Sequence, residues 1–391
     1  MMPNYKRSAK DVMKPHSEAK VLFYQMYLVQ KLRVLSQVDW VKYIHVYDLF
    51  CGRGVYDDGK LGSAVRSYQT ICQTRQNYPS DKRFVLHLND RNPRHVESVR
   101  AYIESLENKD VSMCEVQYTC EDASVFVERI IAETSKKKRG VQRLFFIDPY
   151  CYKQVKRKML EGLMKLGGSE ILLFMPISFM QRFTRHAFSE KATPGSQPLK
   201  KMLEDFFPVG HPIMNEGINV QTYIDYLTEA FSFDGRYYTT SYPIERNVHN
   251  QFALFFLSSS TFDFQEILKI KWKLIDQWGF GFHQSCEETL FGDHFKQERI
   301  NEYMENFRVK LILFLENGRT NDELYNFALK NGFRPQQVKD LLRKLQRENL
   351  LEIVDVATGE VIMVRNKFYV DYKCRKKAIY RFELKERRSA R

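Results

Sequence analysis

What this chain of 391 residues lacks limits it first. It contains no run of 18 apolar residues, so no segment reads as a membrane-spanning helix and no membrane partner is expected. Met1 to Lys14 is polar and basic rather than an apolar leader, and the chain reads as a soluble, cytoplasmic protein. Its seven cysteines stand at 51, 72, 114, 120, 151, 286 and 374 without one Cys-x-x-Cys, which implies neither a disulfide framework nor a zinc knuckle. The nine histidines are scattered too, so no metal site is expected.

Against these absences stand a hydrophobic content of 43%, ample for a packed core, and a length that suggests two or three domains. Sixty-one Lys and Arg against 48 Asp and Glu leave a formal charge of +13, which points to a polyanionic partner. Charge alone does not choose between DNA and RNA.

The most informative stretch is Val46-Tyr-Asp-Leu-Phe-Cys-Gly-Arg-Gly54, an apolar strand that ends in Asp48 and enters a turn with Gly52 and Gly54. Glycine lacks a Cβ, so a chain leaving a strand can take up otherwise strained dihedrals and bring its amides against a ligand. Nearly a hundred residues on, Leu144-Phe-Phe-Ile-Asp-Pro-Tyr150 ends a second strand in a similar way. A dinucleotide fingerprint would need a third glycine at Gly-x-Gly-x-x-Gly and an acid some 20 residues further. Here Tyr56-Asp-Asp-Gly-Lys-Leu-Gly62 intervenes, so hydride transfer is disfavoured.

Residues 17 to 36 form an amphipathic helix by periodicity, within an N-terminal helical extension over 1–43 that packs on the core. Strands are expected at 44–50, 83–89, 114–119, 143–147 and 170–176 with helices between them, which predicts an α/β domain with a parallel, Rossmann-like sheet over 44–300. Residues 190 to 240 read as a helical insertion, and Asn250 to Leu257 as a late core strand. Polar groups follow each strand: Asp48, Gly52 and Gly54, then Asp90, then Glu121 and Asp122, then Asp148. An ionised carboxylate only accepts, so Asp90 suits the ribose hydroxyls of an adenosyl cofactor and Asp122 the adenine amino group. Each has a plainer reading as a helix N-cap, the stronger for Asp122 because Ala-Ser-Val-Phe-Val follows.

From about 301 to 373 the pattern changes to three helices and a hairpin, with a capping box at Thr320-Asn-Asp-Glu323 and strands at 351–356 and 361–369. That arrangement predicts a winged helix-turn-helix domain. Its third helix, 335 to 349, carries Lys339, Arg343, Lys344 and Arg347, available for a DNA major groove, which places DNA ahead of RNA. The tail 374–391 holds eight Lys or Arg, among them Arg375, Lys376 and Lys377, against Glu383 and Glu386. It reads as a phosphate-contacting or merely solvated end.

Asp148-Pro-Tyr150 resembles the Asp-Pro-Pro-Tyr or Asn-Pro-Pro-Tyr signature of methyltransferases that act on exocyclic base amines. An aryl amine is a poor nucleophile because its lone pair is delocalised into the ring. Accepting its N–H bonds at the Asp148 side chain and the Pro149 carbonyl would favour a tetrahedral nitrogen with the lone pair aimed at a methyl sulfonium. Tyr150 would stack on the base, flipped out if it came from a duplex. One proline stands here where the signature has two.

Together Tyr47-Asp-Leu-Phe-Cys-Gly-Arg-Gly-Val-Tyr56, Gly59-Lys-Leu-Gly-Ser63 and Phe146-Ile-Asp-Pro-Tyr150 resemble the three-Cys-motif partner proteins of bacteria over about 15 to 275, and the C-terminal end is similar to that family. The chain departs at Cys51, Arg53 and Tyr150-Cys151. The resemblance implies a Rossmann-like methyltransferase-type domain, a protein partner bearing a three-cysteine motif, and a mobile-element or phage-defence setting.

The expected function is therefore an S-adenosylmethionine-dependent methyltransferase acting on a nucleic-acid base amine. Asp48, Phe50, Gly52, Gly54, Asp90 and Asp122 would hold the cofactor, and Asp148, Pro149 and Tyr150 the target amine. The rival is a non-catalytic nucleic-acid- or protein-binding component of a defence complex that keeps the methyltransferase fold.

Overall fold

In the computed structural model, residues 12–106, 113–133, 139–215, 217–247, 250–279, 292–365 and 367–385 are described. Helix α1 (Pro15–Ser36) opens with a proline in its first turn, where the missing N–H costs nothing. Strands and helices then alternate: β1 (Tyr43–Asp48), α2 (Ser63–Asn77), β2 (Arg83–Asn89), α3 (Pro93–Glu104), β3 (Glu115–Thr119), α4 (Ala123–Glu133), β4 (Val141–Ile147), α5 (Arg157–Lys165) and β5 (Ser169–Met175). Helices α6 (Ile177–Phe188), α7 (Gln197–Phe206) and α8 (Val220–Ala230) lead to the hairpin of β6 (Tyr238–Asn247) and β7 (Asn250–Ser258), and α9 (Thr261–Trp278) follows.

These strands make one mostly parallel, seven-stranded sheet in the order β3-β2-β1-β4-β5-β7-β6, in a mixed α/β architecture. Only β7 runs against its neighbours. Every residue of β4 and of β5 is buried, as near-continuous apolar runs require when helices cover both faces. Side chains alternate between two cores. Leu144, Phe146, Leu172 and Phe174 enter one with α1, α2, α3 and α9, while Phe145, Ile147, Ile171 and Leu173 enter the other with α4 to α8. Strand order reverses between β1 and β4, so the crevice where such sheets bind ligands lies beyond the carboxyl ends of these two strands.

Helix α1 is the least transparent element. Lys20, Tyr24, Tyr27 and Lys31 fall on one helical face, and all four are buried against the sheet. Lys31 pairs with Glu170 of β5 and Asp263 of α9, and Tyr27 donates to Glu170. Tyr24 stacks on Phe146 with centroids 4.1 Å apart. The helix therefore lies antiparallel to β4 and β5, and its first turns reach the crevice.

The C-terminal region comprises α10 (Gly292–Leu315), β8 (Arg319–Thr320), α11 (Asn321–Lys330), α12 (Pro335–Arg347), β9 (Leu351–Asp355), β10 (Val361–Ile362) and β11 (Tyr380–Leu384). Its sheet has the order β10-β9-β11-β8. The Thr320–Glu323 capping box is in place, with the Thr320 amide donating to Glu323 at 2.8 Å. Two expectations change here. The strand read over 361–369 contracts to Val361–Ile362, and the segment taken as a basic tail from 374 supplies β11, which pairs with β9 and β8. Buried Asn321 stitches this segment down, donating to the Tyr369 and Lys377 carbonyls and accepting from the Ile379 and Tyr380 amides. The boundary read at 300 is not a break in packing either. Phe307, Leu324, Phe333 and Leu342 share a core with Trp272 of α9, whose indole donates to the Gly332 carbonyl at 3.0 Å. Residues 386–391 of the tail lie outside the described residues.

Candidate functional site

Asp48 ends β1 completely buried. The Phe50 amide donates to Oδ1 at 3.3 Å, whereas Oδ2 is buried with no hydrogen-bond partner among the described residues. Burial pushes this carboxyl up to about 7, and nearby Asp148 adds to the rise, against the Ser63 hydroxyl, the Phe50 amide and Lys20. A buried, half-satisfied acid costs free energy unless something cationic or hydrogen-bonding meets it. Phe50 is buried, with its ring edge-on to Tyr150 at 6.0 Å.

The loop that follows needs its glycines for two different reasons. Gly52 has φ +60° and faces open space, so backbone conformation alone selects it. Gly54, at φ +79°, has in addition no room: a Cβ there would lie 2.7 Å from the Val99 side chain. Its carbonyl accepts from the Gly62 amide at 2.6 Å, which closes the loop onto the start of α2.

Asp90 follows β2 and is 1% exposed. A carboxylate offers about four acceptor directions, and three hydrogen bonds from the protein take up most of them here. Oδ2 accepts from the Gly52 amide at 3.1 Å and the Tyr150 hydroxyl at 2.6 Å, while Oδ1 accepts from the Asn92 amide at 2.8 Å and lies 3.3 Å from His95 Nδ1. The expected ribose acceptor is thus present at the crevice, with both oxygens already accepting hydrogen bonds from the protein. Tyr150 reaches across from the loop after β4 to donate one of them, with 62% of its own surface exposed.

Asp148 is where the sequence places it, just past β4, and forms an ion pair with Lys20 of α1. The Lys20 ammonium also lies 4.8 Å from the centre of the Phe174 ring. Pro149 is buried beside it. The structure therefore brings Asp48, Phe50, Gly52, Gly54, Asp90, Asp148, Pro149 and Tyr150 to one end of the sheet. Asp122 behaves otherwise. Its Oδ1 accepts from the Ser124 amide at 2.9 Å and the Ser124 hydroxyl at 2.7 Å, bonds that hold its carboxyl below the usual range. It caps α4, the plainer of its two readings. Neighbouring Glu121 pairs with Arg129.

The basic residues of the C-terminal region divide in the same way. Lys344, Arg347, Lys376 and Lys377 are exposed, and Lys339 is half-buried. Arg343 pairs with Asp340 and lies over the Phe368 ring, and Arg375 stacks on Tyr372 at 3.8 Å while donating to its carbonyl. These last two are engaged within the fold.

Sequence reasoning missed Lys20, Ser63 and His95. The signal for Lys20 was its place on a face shared with Tyr24, Tyr27 and Lys31, which reads as solvated until the helix is docked. Ser63 was marked only as the end of the Gly59–Ser63 motif, with no role assigned, and His95 carried no signal.

Among the described residues, no helix is long and apolar enough to cross a membrane. No protein-family model matches the chain, and no curated protein matches it. Among solved structures, protein LPL1258 from Legionella pneumophila str. Philadelphia 1, of family DUF519, is similar with a TM-score of 0.37 and 14% identity, covering 68% of this chain and 94% of that one. A Thermobifida fusca YX protein, provisionally described as a methyltransferase, is similar with a TM-score of 0.30 and 12% identity, covering 63% of this chain and 84% of that one.

Proposed function

We propose that the chain is an S-adenosylmethionine-dependent methyltransferase that acts on an exocyclic amine of a nucleic-acid base, DNA ahead of RNA. One observation carries this reading. At the switch point of the sheet, the orphaned Asp48 oxygen and the Gly52–Gly54 loop stand beside Asp148-Pro149-Tyr150, with Tyr150 bridging the two strand ends.

The donor set fits the cofactor at the Asp48 end, where a buried carboxylate with one unbonded oxygen suits a cationic amino group. It fits at Asp90 only if Tyr150 withdraws. That movement opens no core, because the ring is mostly in solvent. When bound, the cofactor supplies an activated methyl group. Lys20 fixes the orientation of the Asp148 carboxylate, which keeps an oxygen for one N–H of the target, and the Pro149 carbonyl takes the other. Tyr150, once released from Asp90, is free to stack on the base. Cofactor loading and base capture are then linked through one side chain.

The C-terminal region is proposed as a winged helix-turn-helix, with Lys344 and Arg347 of α12 facing outward. The protein partner bearing a three-cysteine motif and the defence setting come with the family resemblance.

In the Asp148→Ala variant, methyl transfer to DNA or RNA is lost while cofactor binding survives, as read by mass spectrometry of nucleosides and by calorimetry. Undiminished transfer removes the assignment. A binding-only component of a defence complex is the second reading. The Tyr150–Asp90 bond and the Lys20–Asp148 pair favour it. Absence of heat with S-adenosylmethionine at high micromolar concentration selects that second reading.

A further inference from the structure

Beside the crevice, α6 turns two phenylalanines to solvent. Phe179 is 45% and Phe183 43% exposed, with ring centroids 4.6 Å apart, and Tyr152 from the loop after β4 lies 6.0 Å from Phe179. The core-facing side of the helix is already filled by Ile177, Met180, Thr184 and Ala187. The two rings pack on each other, Phe179 also on Tyr152, and they belong to neither hydrophobic core.

Arginines flank them. Arg182 and Arg185 line a small cleft of about 220 Å³ behind the ridge. Arg182 spends one N–H on the Ser178 carbonyl at 3.2 Å and forms no ion pair among the described residues. The two segments that leave β4 and β5, 149–160 and 176–189, contain no Asp or Glu, yet they include Lys153, Lys156 and Lys158, all exposed.

We infer that this ridge is a stacking platform for single-stranded nucleic acid, leading the strand to Asp148. Exposed rings interleaved with arginines suit unpaired bases, whose faces are open to stack, while the cations meet the phosphates. Paired bases present no free face, so a duplex would gain only the charges. The exposed lysines and arginines of these two segments set the sign of the partner. The inference rests on the proposed function for what happens at Asp148, but the binding itself is independent of methyl transfer.

The test is fluorescence anisotropy of the full chain at low salt with labelled single-stranded DNA, single-stranded RNA and duplex DNA. Single strands bind in preference to duplex, and Phe179→Ala or Phe183→Ala weakens them by roughly tenfold each. The Arg182→Ala, Arg185→Ala pair flattens the salt dependence of single-strand binding, whereas a Lys344→Ala, Arg347→Ala pair on α12 lowers duplex affinity more than single-strand affinity. Thermal midpoints of these surface variants stay at the wild-type value. The inference is overturned by single-strand binding that survives both phenylalanine variants, by binding that depends on α12 alone, or by binding of no nucleic acid. Calorimetry with S-adenosylmethionine on the same samples separates the claims. If strand binding needs the phenylalanines but no cofactor binds, the platform stands and the enzyme reading falls. If cofactor binds and the phenylalanine variants hold strands normally, only the platform falls.

Discussion

Asp48→Asn tests the buried carboxylate directly. In the folded chain this acid titrates at about 7 instead of the ordinary 3.8, chiefly through burial. The folded state therefore holds the proton more tightly than the unfolded one, and the contribution of Asp48 to stability is full below about pH 4 and lost as pH rises to about 7. The difference corresponds to about 4 kcal/mol as an upper limit. Asparagine keeps the shape and the bond from the Phe50 amide but places a neutral NH2 at the orphaned position, which costs about 1–3 kcal/mol if it finds no acceptor. The net expectation at pH 8 is a variant more stable by about 1–3 kcal/mol, whose advantage shrinks toward pH 5. Urea unfolding at the two pH values measures this, and calorimetry with S-adenosylmethionine measures the other half: the neutral amide no longer attracts a cationic amino group, so binding drops at least tenfold. A variant less stable than wild type at pH 8 would refute the electrostatic argument. One that binds the cofactor as before would refute the assignment of the site.

Tyr150→Phe removes the hydroxyl that donates to Asp90, so S-adenosylmethionine should bind roughly threefold to tenfold more tightly by calorimetry, and weaker binding rules out the latch. Lys31→Met leaves buried Glu170 and half-buried Asp263 without their cation and should cost about 3–5 kcal/mol in urea unfolding, largely recovered when Glu170→Gln and Asp263→Asn are added. An unchanged unfolding midpoint for Lys31→Met would show that the triad does not anchor α1. Lys271 is buried with Thr240 Oγ1 as its hydrogen-bond partner, and desolvation lowers it from 10.5 to about 8. Its protonated form penalises folding below pH 8, and stability returns as pH rises from 8 to 10.5. Lys271→Met should therefore stabilise the protein at pH 7 by up to about 3 kcal/mol and flatten that rise, and a destabilised variant at pH 7 contradicts the sign.

β1, β2, β4 and β5 were legible because burial writes them largely as short apolar runs, and three of them close on a residue that chemistry marks, Asp48, Asp90 or Asp148. β6 was missed. Tyr238 to Asn247 mixes threonines, tyrosines and charges, since its neighbour on one side only is β7, and an edge strand need not be apolar. β11 was hidden for a similar reason. Tyr380, Phe382 and Leu384 alternate with period two, but Arg381, Glu383 and Lys385 between them gave the segment the look of a charged tail.

The sequence by itself determined the chain's α/β character, the positions of the glycine turn and of Asp-Pro-Tyr, and the excess of basic charge, because backbone preference, burial period and composition are local properties. Tertiary structure alone decided which of those groups are free. Lys20 reaches Asp148 from 128 positions away, Tyr150 reaches Asp90 from 60, and a hydrogen bond depends on donor and acceptor meeting in space, which no spacing along the chain records.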